Sequence, residues 1–402
     1  MISFEDARSI ILSEASVLTP IEQEISEALD FVLAEDVASE VDLPAFDNSA
    51  MDGYALRSAD VKDAGKESPT VLKVVETIFA GDVPRRCLGP GEAAKIMTGA
   101  PLPEGADCVV PVEDTQEKAG EVGTFASAPA GQHVRPQGQE LKTGQILLKE
   151  GSPLGPAEIG LLAAAGRARF AVYPRPRVAF FVTGDEIVAP GEPMGPGKVR
   201  DVNSLTLSAL LHETHCAAQF LGRLPDDASA LKEAIRKALP YDVLLTSGSV
   251  SMGERDLLRE CLREEGFQEH FYKINMKPGK PVLFGKLGET LVFCLPGNTV
   301  STMLTFLLLA RPALLKMQGH RELNLEQTRA RCAVPLRRSD VRQEFLRVKL
   351  ETQEDALWAT PTGDQLSSIL SSVVQADGLL IVPAGQAQVD RGQWLNVLLL
   401  ER

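Results

Sequence analysis

Residues 242–256 read DVLLTSGSVSMGERD, and the organisation of the whole chain follows from how this stretch is taken. Val243-Leu244-Leu245 is an apolar run of strand length, and Glu254–Glu265 carries helical spacing that Gly266 stops. Between them lie Thr246, Ser247, Gly248, Ser249, Val250, Ser251, Met252 and Gly253, mostly small or hydroxyl-bearing residues. Strand, small-residue turn and helix in that order make a βα unit. The backbone N–H groups of such a turn, with the helix dipole behind them, suit an anion. An ordinary βα turn favours the same residue types, so the loop by itself leaves both readings open. Glu254 and Asp256 shift the balance, because carboxylates beside a phosphate repel it unless a hard cation such as Mg2+ lies between.

Working outward, strands and helices alternate. Arg177–Thr183 is strand-like, Asn203–His215 reads as an amphipathic helix, and Ala217–Leu224 as a strand. Asp226–Leu239 is a helix with Asp226 or Asp227 as N-cap. Strands around Val282–Phe284 and Thr290–Leu295 precede a long helix from Val300 to Met317. Such alternation predicts a doubly wound, mainly parallel sheet covered on both faces. Upstream, residues 3–35 read as two helices, since Phe4, Ala7, Ile10 and Ile11, then Ile25, Leu29, Val32 and Leu33, recur at helical spacing. Short β-branched runs such as Val71–Ile78 and Cys108–Val112 follow, then a helix at Pro156–Ala165 ended by Gly166. Downstream, Phe345–Leu350, Leu379–Val382 and Trp394–Leu400 return to β character. The expected fold is therefore a multidomain α/β protein. Residues 1–43 and 149–173 would form a helical linker domain, 44–148 an inserted β-rich domain, 174–325 the α/β domain and 326–402 a small C-terminal β domain.

Composition bounds the function. A net charge of −14 argues against a nucleic-acid partner, because binding there is driven by Lys and Arg; a small anion held by local basic groups or a cation stays open. Six scattered cysteines with no C-x-x-C pair suggest neither a zinc ribbon nor a disulfide framework. Glu5, Asp6 and Glu14 interrupt the N-terminal segment, unlike a signal peptide, and Arg311 and Pro312 interrupt the most apolar stretch, Met303–Leu315, which reads as too short to span a bilayer. No membrane is expected, and the expected compartment is the cytoplasm.

Ligands of doubly wound sheets sit beyond the carboxyl ends of the strands. Three loops occupy such ends: Thr183-Gly184-Asp185-Glu186, the stretch after Leu245, and Pro296-Gly297-Asn298. Glu186 and Asp185 offer hard oxygen ligands, or they merely complement a helix dipole. Lys273, Lys277 and Lys280 lie in KINMKPGKP, stiffened by Pro278 and Pro281, and read as an anion seat or a solvated basic loop. In residues 44–55, PAFDNSAMDGYA, Asp47 and Asp52 face a ligand or close Asx turns. His212 and His215 share a helix without a third metal ligand, which favours a plain helix surface. His133, His270 and His320 show no Ser or Cys partner, so a nucleophilic triad is not supported.

Taken together these segments resemble the MoeA family, the molybdopterin molybdenumtransferases that include the gephyrin E domain. The resemblance rests on Pro44–Arg57 (PAFDNSAMDGYALR), Ile96–Asp114 (IMTGAPLPEGADCVVPVED), Thr183–Glu186 (TGDE), Thr246–Asp256, Lys277–Pro281 (KPGKP), Leu295–Asn298 (LPGN) and Gln343–Leu350 (QEFLRVKL). It implies the last step of molybdenum cofactor assembly: adenylylated molybdopterin binds, its phosphoanhydride is cleaved with Mg2+ and AMP release, and molybdate supplies the metal. Matched by position, the resemblance assigns catalytic roles to Asp52, Thr98, Glu186, Asp226, Asp256, Lys273, Lys277 and Lys280. It assigns ligand binding to Thr183, Gly184, Asp185, Ser247, Gly248, Ser249, Ser251, Gly253, Pro296, Gly297, Asn298 and Ser367, and the metal to Glu186 and Asp256. It also implies a homodimer with a cleft shared between subunits, and dealings with a molybdopterin adenylyltransferase and with acceptor molybdoenzymes. Ser249, Thr299, Gln139-Glu140, Arg200 and Val202 depart from the usual pattern. Two alternatives stand beside this: a molybdopterin adenylyltransferase, and a non-catalytic cofactor-binding or scaffold paralogue.

Overall fold

The computed structural model describes residues 1–248, 257–339 and 342–400. They form two compact units, one of Met1–Ile21, Asp30–Ala34 and Val172–Arg402, the other of Glu22–Leu29 and Glu35–Ala171.

The first unit begins with helix α1 (Phe4–Glu14), started by Ser3, whose hydroxyl accepts the Asp6 N–H at 3.0 Å. Phe4, Ala7 and Ile11 bury one face of α1 in the unit's core. The second expected N-terminal helix is absent. Ile25–Glu27 makes only a 310 turn, and Asp30, at φ +65°, breaks any helical continuation. Val32–Leu33 instead pairs antiparallel with Val172–Tyr173. A β-branched residue with a distant ladder partner thus overrides a local helical period.

The α/β sheet contains β1 (Arg177–Thr183), β2 (Ala217–Leu224), β3 (Val243–Ser247), β4 (Gln268–Tyr272), β5 (Leu283–Leu287) and β6 (Thr290–Leu295), in the spatial order β2-β1-β3-β6-β5-β4. The first four neighbours are parallel; β5 pairs antiparallel with both β6 and β4. Alternating residues serve opposite faces, as the pleat requires. Val178, Phe180, Val243, Leu245, Leu291 and Phe293 pack with helix α2 (Asn203–Glu213) and the long C-terminal helix, whereas Ala179, Phe181, Leu244, Val292 and Cys294 pack beneath α3 (Ala228–Ala238) and α4 (Leu257–Glu264). Asp227 is the N-cap of α3, accepting the Ala230 N–H at 3.0 Å.

The helix from Thr299 to Met317 is long and apolar enough to cross a bilayer by length and composition, contrary to the sequence reading. Most of it, 83%, is buried inside the protein, which makes it a core element. Its middle, Phe306–Ala310, widens into a π turn just before Pro312, a residue with no N–H to give to the turn before it.

After this helix the chain forms a closed β ring. Gln343–Gln353 pairs with Ala356–Pro361 on one side and Gly378–Val382 on the other, and Gln327–Cys332 and Trp394–Leu399 complete the circuit. Leu346, Val348, Leu380, Val382 and Val397 fill it. Met276–Lys277 adds a parallel strand against Gln343–Glu344, stitching this ring to the α/β part.

The second unit holds a six-stranded sheet, in order Cys108–Pro111, Gly53–Leu56, Glu92–Ile96, Thr70–Ile78, Glu121–Thr124 and Thr115–Lys118. All neighbours are antiparallel except Thr70–Ile78 with Glu92–Ile96. Tyr54, Leu56, Cys108 and Val110 pack on one face, and Ala55, Val109, Ala94 and Ile96 on the other.

Candidate functional site

The parallel strands β1, β3 and β6 end side by side, with Val182 opposite Ser247 and Ser247 opposite Leu295. Their loops therefore converge, as strand-end chemistry requires. Beyond them lies a cleft of about 1240 Å3. Of the residues expected from sequence, Thr183, Gly184, Glu186, Asp226, Ser247, Gly248, Pro296, Gly297 and Asn298 line it. Ser249, Ser251, Gly253 and Asp256 lie outside the described residues.

The loops approach so closely that one position excludes any side chain. Gly248 has φ +103°, and a Cβ there would stand 2.3 Å from the Thr183 carbonyl oxygen. Gly297 lies against Gly248 from the third loop. Ser247 Oγ donates to the Pro296 carbonyl at 2.9 Å, and Thr302 Oγ1 donates to the same carbonyl. Bare backbone on three sides leaves room for a bulky ligand to reach peptide groups directly.

Around this floor the charge is mixed. Glu186, Asp226 and Glu260 are exposed carboxylates on the lining, and Asp185 stands beside them, accepting the Asp226 N–H at 3.3 Å. Asp201 also borders the cleft, but its carboxylate is buried and committed to Arg223 Nε at 2.6 Å and to the N–H and hydroxyl of Ser204. Arg200 is the one cation on the lining among the described residues; it is anchored by donating to the Ala189 and Glu192 carbonyls.

No group of three His, Cys, Asp or Glu side chains gathers to hold a metal among the described residues; of the two histidines expected on α2, His215 lies past its end, 3.6 Å from Asp30. The donor set still fits a hard cation. Mg2+ commonly takes one or two carboxylates and completes its shell with phosphate oxygens and water. Glu186 folds its carboxylate over Gly184, where a Cβ would stand 2.7 Å from Oε2, so it presents oxygens at the mouth of the first loop.

The lysine segment borders the cleft through Pro281, but Lys273, Lys277 and Lys280 are not on the lining. Lys277 Nζ pairs with the buried Glu344 at 2.8 Å, and Arg338 holds the other Glu344 oxygen at 2.6 Å. Lys273 lies over the Tyr272 ring at 4.6 Å, and Lys280 is half-buried. Ser367 belongs to the β ring's approach to the cleft: its hydroxyl accepts from Asn298 Nδ2 at 2.9 Å. Sequence reasoning missed what holds it there. The fully buried Arg347 donates to the Leu366 carbonyl at 3.1 Å and to Ser372 Oγ at 3.1 Å, fixing the segment that carries Ser367. A charged residue inside the apolar run of QEFLRVKL was the signal. Asn203 and Thr302 were also missed; each sits in a helix and looks like an ordinary polar helix residue.

Asp52 and Thr98 belong to the other unit, where they meet each other. Thr98 donates both its backbone N–H and its hydroxyl to Asp52 Oδ1, at 2.7 Å each. These two bonds hold the Asp52 carboxyl below its ordinary range.

Comparison with known proteins covers nearly the whole chain. Residues 2–166 match the MoeA N-terminal region (domain I and II), 179–316 a probable molybdopterin binding domain, and 329–400 the MoeA C-terminal region (domain IV). A molybdopterin molybdenumtransferase of Haemophilus influenzae is 34% identical over 99% of this chain and 98% of its own length. One from Bacillus subtilis is 32% identical over 94% and 89%. A crystal structure of a molybdopterin biosynthesis MoeA protein from Pyrococcus horikosii superposes with a TM-score of 0.84 at 34% identity, covering both chains completely.

Proposed function

The chain belongs to the MoeA family, and on that premise we infer that it is a molybdopterin molybdenumtransferase, inserting molybdenum into molybdopterin. The observation that carries this reading is the convergence of three strand-end loops, Thr183-Gly184, Ser247-Gly248 and Pro296-Gly297, on one cleft roomy enough for a nucleotide-linked pterin. The match runs through all parts of the chain and not the central α/β part alone, which favours transfer over adenylylation.

The substrate pair is adenylylated molybdopterin and molybdate. Water opens the phosphoanhydride: its oxygen bonds to one phosphorus as the bridging oxygen leaves with the other, so AMP departs and molybdopterin keeps its own phosphate. The two dithiolene sulfurs then bind molybdenum, and one molybdate oxygen departs as water with the two thiol protons. Soft sulfur from the substrate supplies the metal's ligands, so no cysteine of the protein is needed at the site. Backbone amides of the converging loops orient the phosphates, and Arg200 offsets part of their charge. Glu186 and Asp256 would hold Mg2+, which would supply Lewis-acid stabilisation of the charge that develops on the phosphates. Asp226, Asp256, Lys273, Lys277 and Lys280, with Asp52 and Thr98, complete the proposed machinery.

A homodimer fits the first unit's surface. Leu205 and Val374 are largely exposed on the rim of an apolar groove of about 640 Å3 floored by Met303 and Leu307, and a second copy covers such a face. Six free cysteines suit a reducing cytoplasm. The partners are an adenylyltransferase upstream and molybdoenzymes downstream. The test is AMP release from adenylylated molybdopterin by the purified chain, with and without molybdate and Mg2+. Release that needs both supports the reading. No release from authentic substrate removes it, ATP-dependent adenylylation would point to the adenylyltransferase, and a cellular role that survives Asp256→Ala would point to a scaffold.

A further inference from the structure

The β ring carries an outer wall that the cleft chemistry does not use. Strand Gln327–Cys332 turns Ala330 and Cys332 into the ring's core, so Arg329 and Arg331 face outward. The register sets Arg331 opposite Trp358 on one neighbouring strand and opposite Trp394 on the other. Its guanidinium lies over both indoles, 5.8 Å and 5.2 Å from their ring centroids. Arg329 lies over Trp394 at 5.6 Å, and Arg391, from the turn before that strand, over Trp358 at 5.7 Å. Five side chains thus form one interleaved row, and it holds both tryptophans of the chain.

This row lacks acids of its own. The chain carries 55 Asp and Glu against 41 Lys and Arg, so carboxylates are plentiful elsewhere. Yet Arg329, Arg331 and Arg391 make no ion pair and give no side-chain hydrogen bond among the described residues. Glu351 stands opposite Trp358 without engaging them, and Asp390, next to Arg391, accepts from Gln388 Nε2 at 2.6 Å. Arg329, Arg391 and Trp394 are exposed, so their donors and ring can be reached from outside. Trp and Arg are the residues that most often anchor protein interfaces, and a row already stacked loses little freedom on binding. A guanidinium over a ring keeps its N–H groups for oxygen acceptors, carboxylates above all. A polynucleotide would bring many phosphates up to a chain of net charge −14, whereas an acidic protein segment brings only a few charges. We propose that this wall docks a partner protein through a segment that alternates Asp or Glu with apolar residues. Its carboxylates pair with Arg329 and Arg391, and its apolar side chains cover Trp394. The inference stands apart from the transferase reading and from the apolar groove given to a second copy.

With no tryptophan elsewhere, tryptophan emission of the full chain reports on this wall alone. The probe is the tryptophan-free hexapeptide acetyl-EELEEL-amide. A saturable change in emission is expected, and Arg329→Ser with Arg391→Ser should weaken it about tenfold. Arg85→Ser with Arg86→Ser removes the same charge from exposed arginines of the other unit and should leave the affinity within about twofold of wild type. Arg391→Ser alone, in a turn, should give part of the loss, and an unchanged urea midpoint shows that each variant is folded. Hexathymidylate should bind more weakly than the peptide. The inference is overturned by a wild type that does not respond to the peptide, or by equal weakening in the two double variants. Tighter binding of hexathymidylate assigns the wall to nucleic acid, and emission that changes with protein concentration alone assigns it to a second copy; either result also overturns it.

Discussion

Replacing Gly248 by alanine tests the convergence of the strand-end loops directly. The residue lies at φ +103°, a backbone conformation that costs an L side chain about 1–3 kcal/mol. The new methyl would also stand 2.3 Å from the Thr183 carbonyl oxygen and 2.8 Å from its Oγ1, and the first of these is backbone that cannot rotate away. Overpacking of this kind costs about 1–3 kcal/mol, so the total expected loss is roughly 2–6 kcal/mol. Gly297→Ala is the matched control. Its φ is not positive, and a Cβ there would meet only Gly248 Cα at 3.6 Å, an ordinary contact, so the change should lie within about 1 kcal/mol of wild type. Urea unfolding measures both, through the shift in midpoint at constant slope. AMP release should fall in Gly248→Ala, because the methyl forces the first two loops apart. If Gly248→Ala loses less than about 1 kcal/mol and keeps its activity, the tight floor described here is wrong.

Arg338→Ala should destabilise by about 3–5 kcal/mol, because it strips the buried Glu344 of one cation and leaves the charge poorly compensated. Lys277→Ala should cost under about 1 kcal/mol in thermal or urea melts, since Lys277 is substantially exposed; a large loss of AMP release in that variant then reports on the site and not on folding. Asp52, held low by the two Thr98 donors, contributes stability that is present above its unfolded-state pKa and is lost as pH falls through its depressed folded value. Thr98→Val removes one donor and lets the folded-state pKa rise toward the unfolded one, so the loss should be smaller and complete at a higher pH, seen as an upward shift of the Asp52 carboxyl titration by NMR. Burial pushes the thiols of Cys108 and Cys216 up to about 12, whereas Cys87 is exposed. At neutral pH a thiol reagent should label Cys87 in the native protein and reach Cys108 and Cys216 only on unfolding, as read by peptide mass mapping.

The alternation of strands and helices in the central part was legible because Arg177–Thr183, Val243–Ser247 and Thr290–Leu295 carry apolar runs and the helices between them an apolar stripe. Two helices also carry recognisable ends, with Asp227 capping Ala228–Ala238 and Gly266 following Leu257–Glu264. What periodicity could not announce was pairing across long stretches of chain. Ile25, Leu29, Val32 and Leu33 fit a helix locally, and only the distant Val172–Tyr173 shows that Val32–Leu33 is a strand. The strand β4, QEHFY, carries no apolar run and was missed, and β5 looks like its parallel neighbours, yet a strand's direction lies in its connections. Much of the cleft floor was legible, because glycines, serines and prolines punctuate strand ends. The positioning residues were not. Asn203 and Thr302 act through single polar atoms turned inward from helices, and Arg347 through a guanidinium sealed in the β ring; the residue letters alone do not say which way an atom points.

The strand Gln343–Gln353 serves both the β ring and the seam with Met276–Lys277, and the ring closes only through Trp394–Leu399. On a ribosome these pieces emerge after the strands of the central sheet. The sheet can therefore begin to assemble before Ser367 reaches Asn298 and Glu344 reaches Lys277. A chain halted after the central sheet would lack both contacts, so the finished cleft waits on strands made later than the loops that floor it.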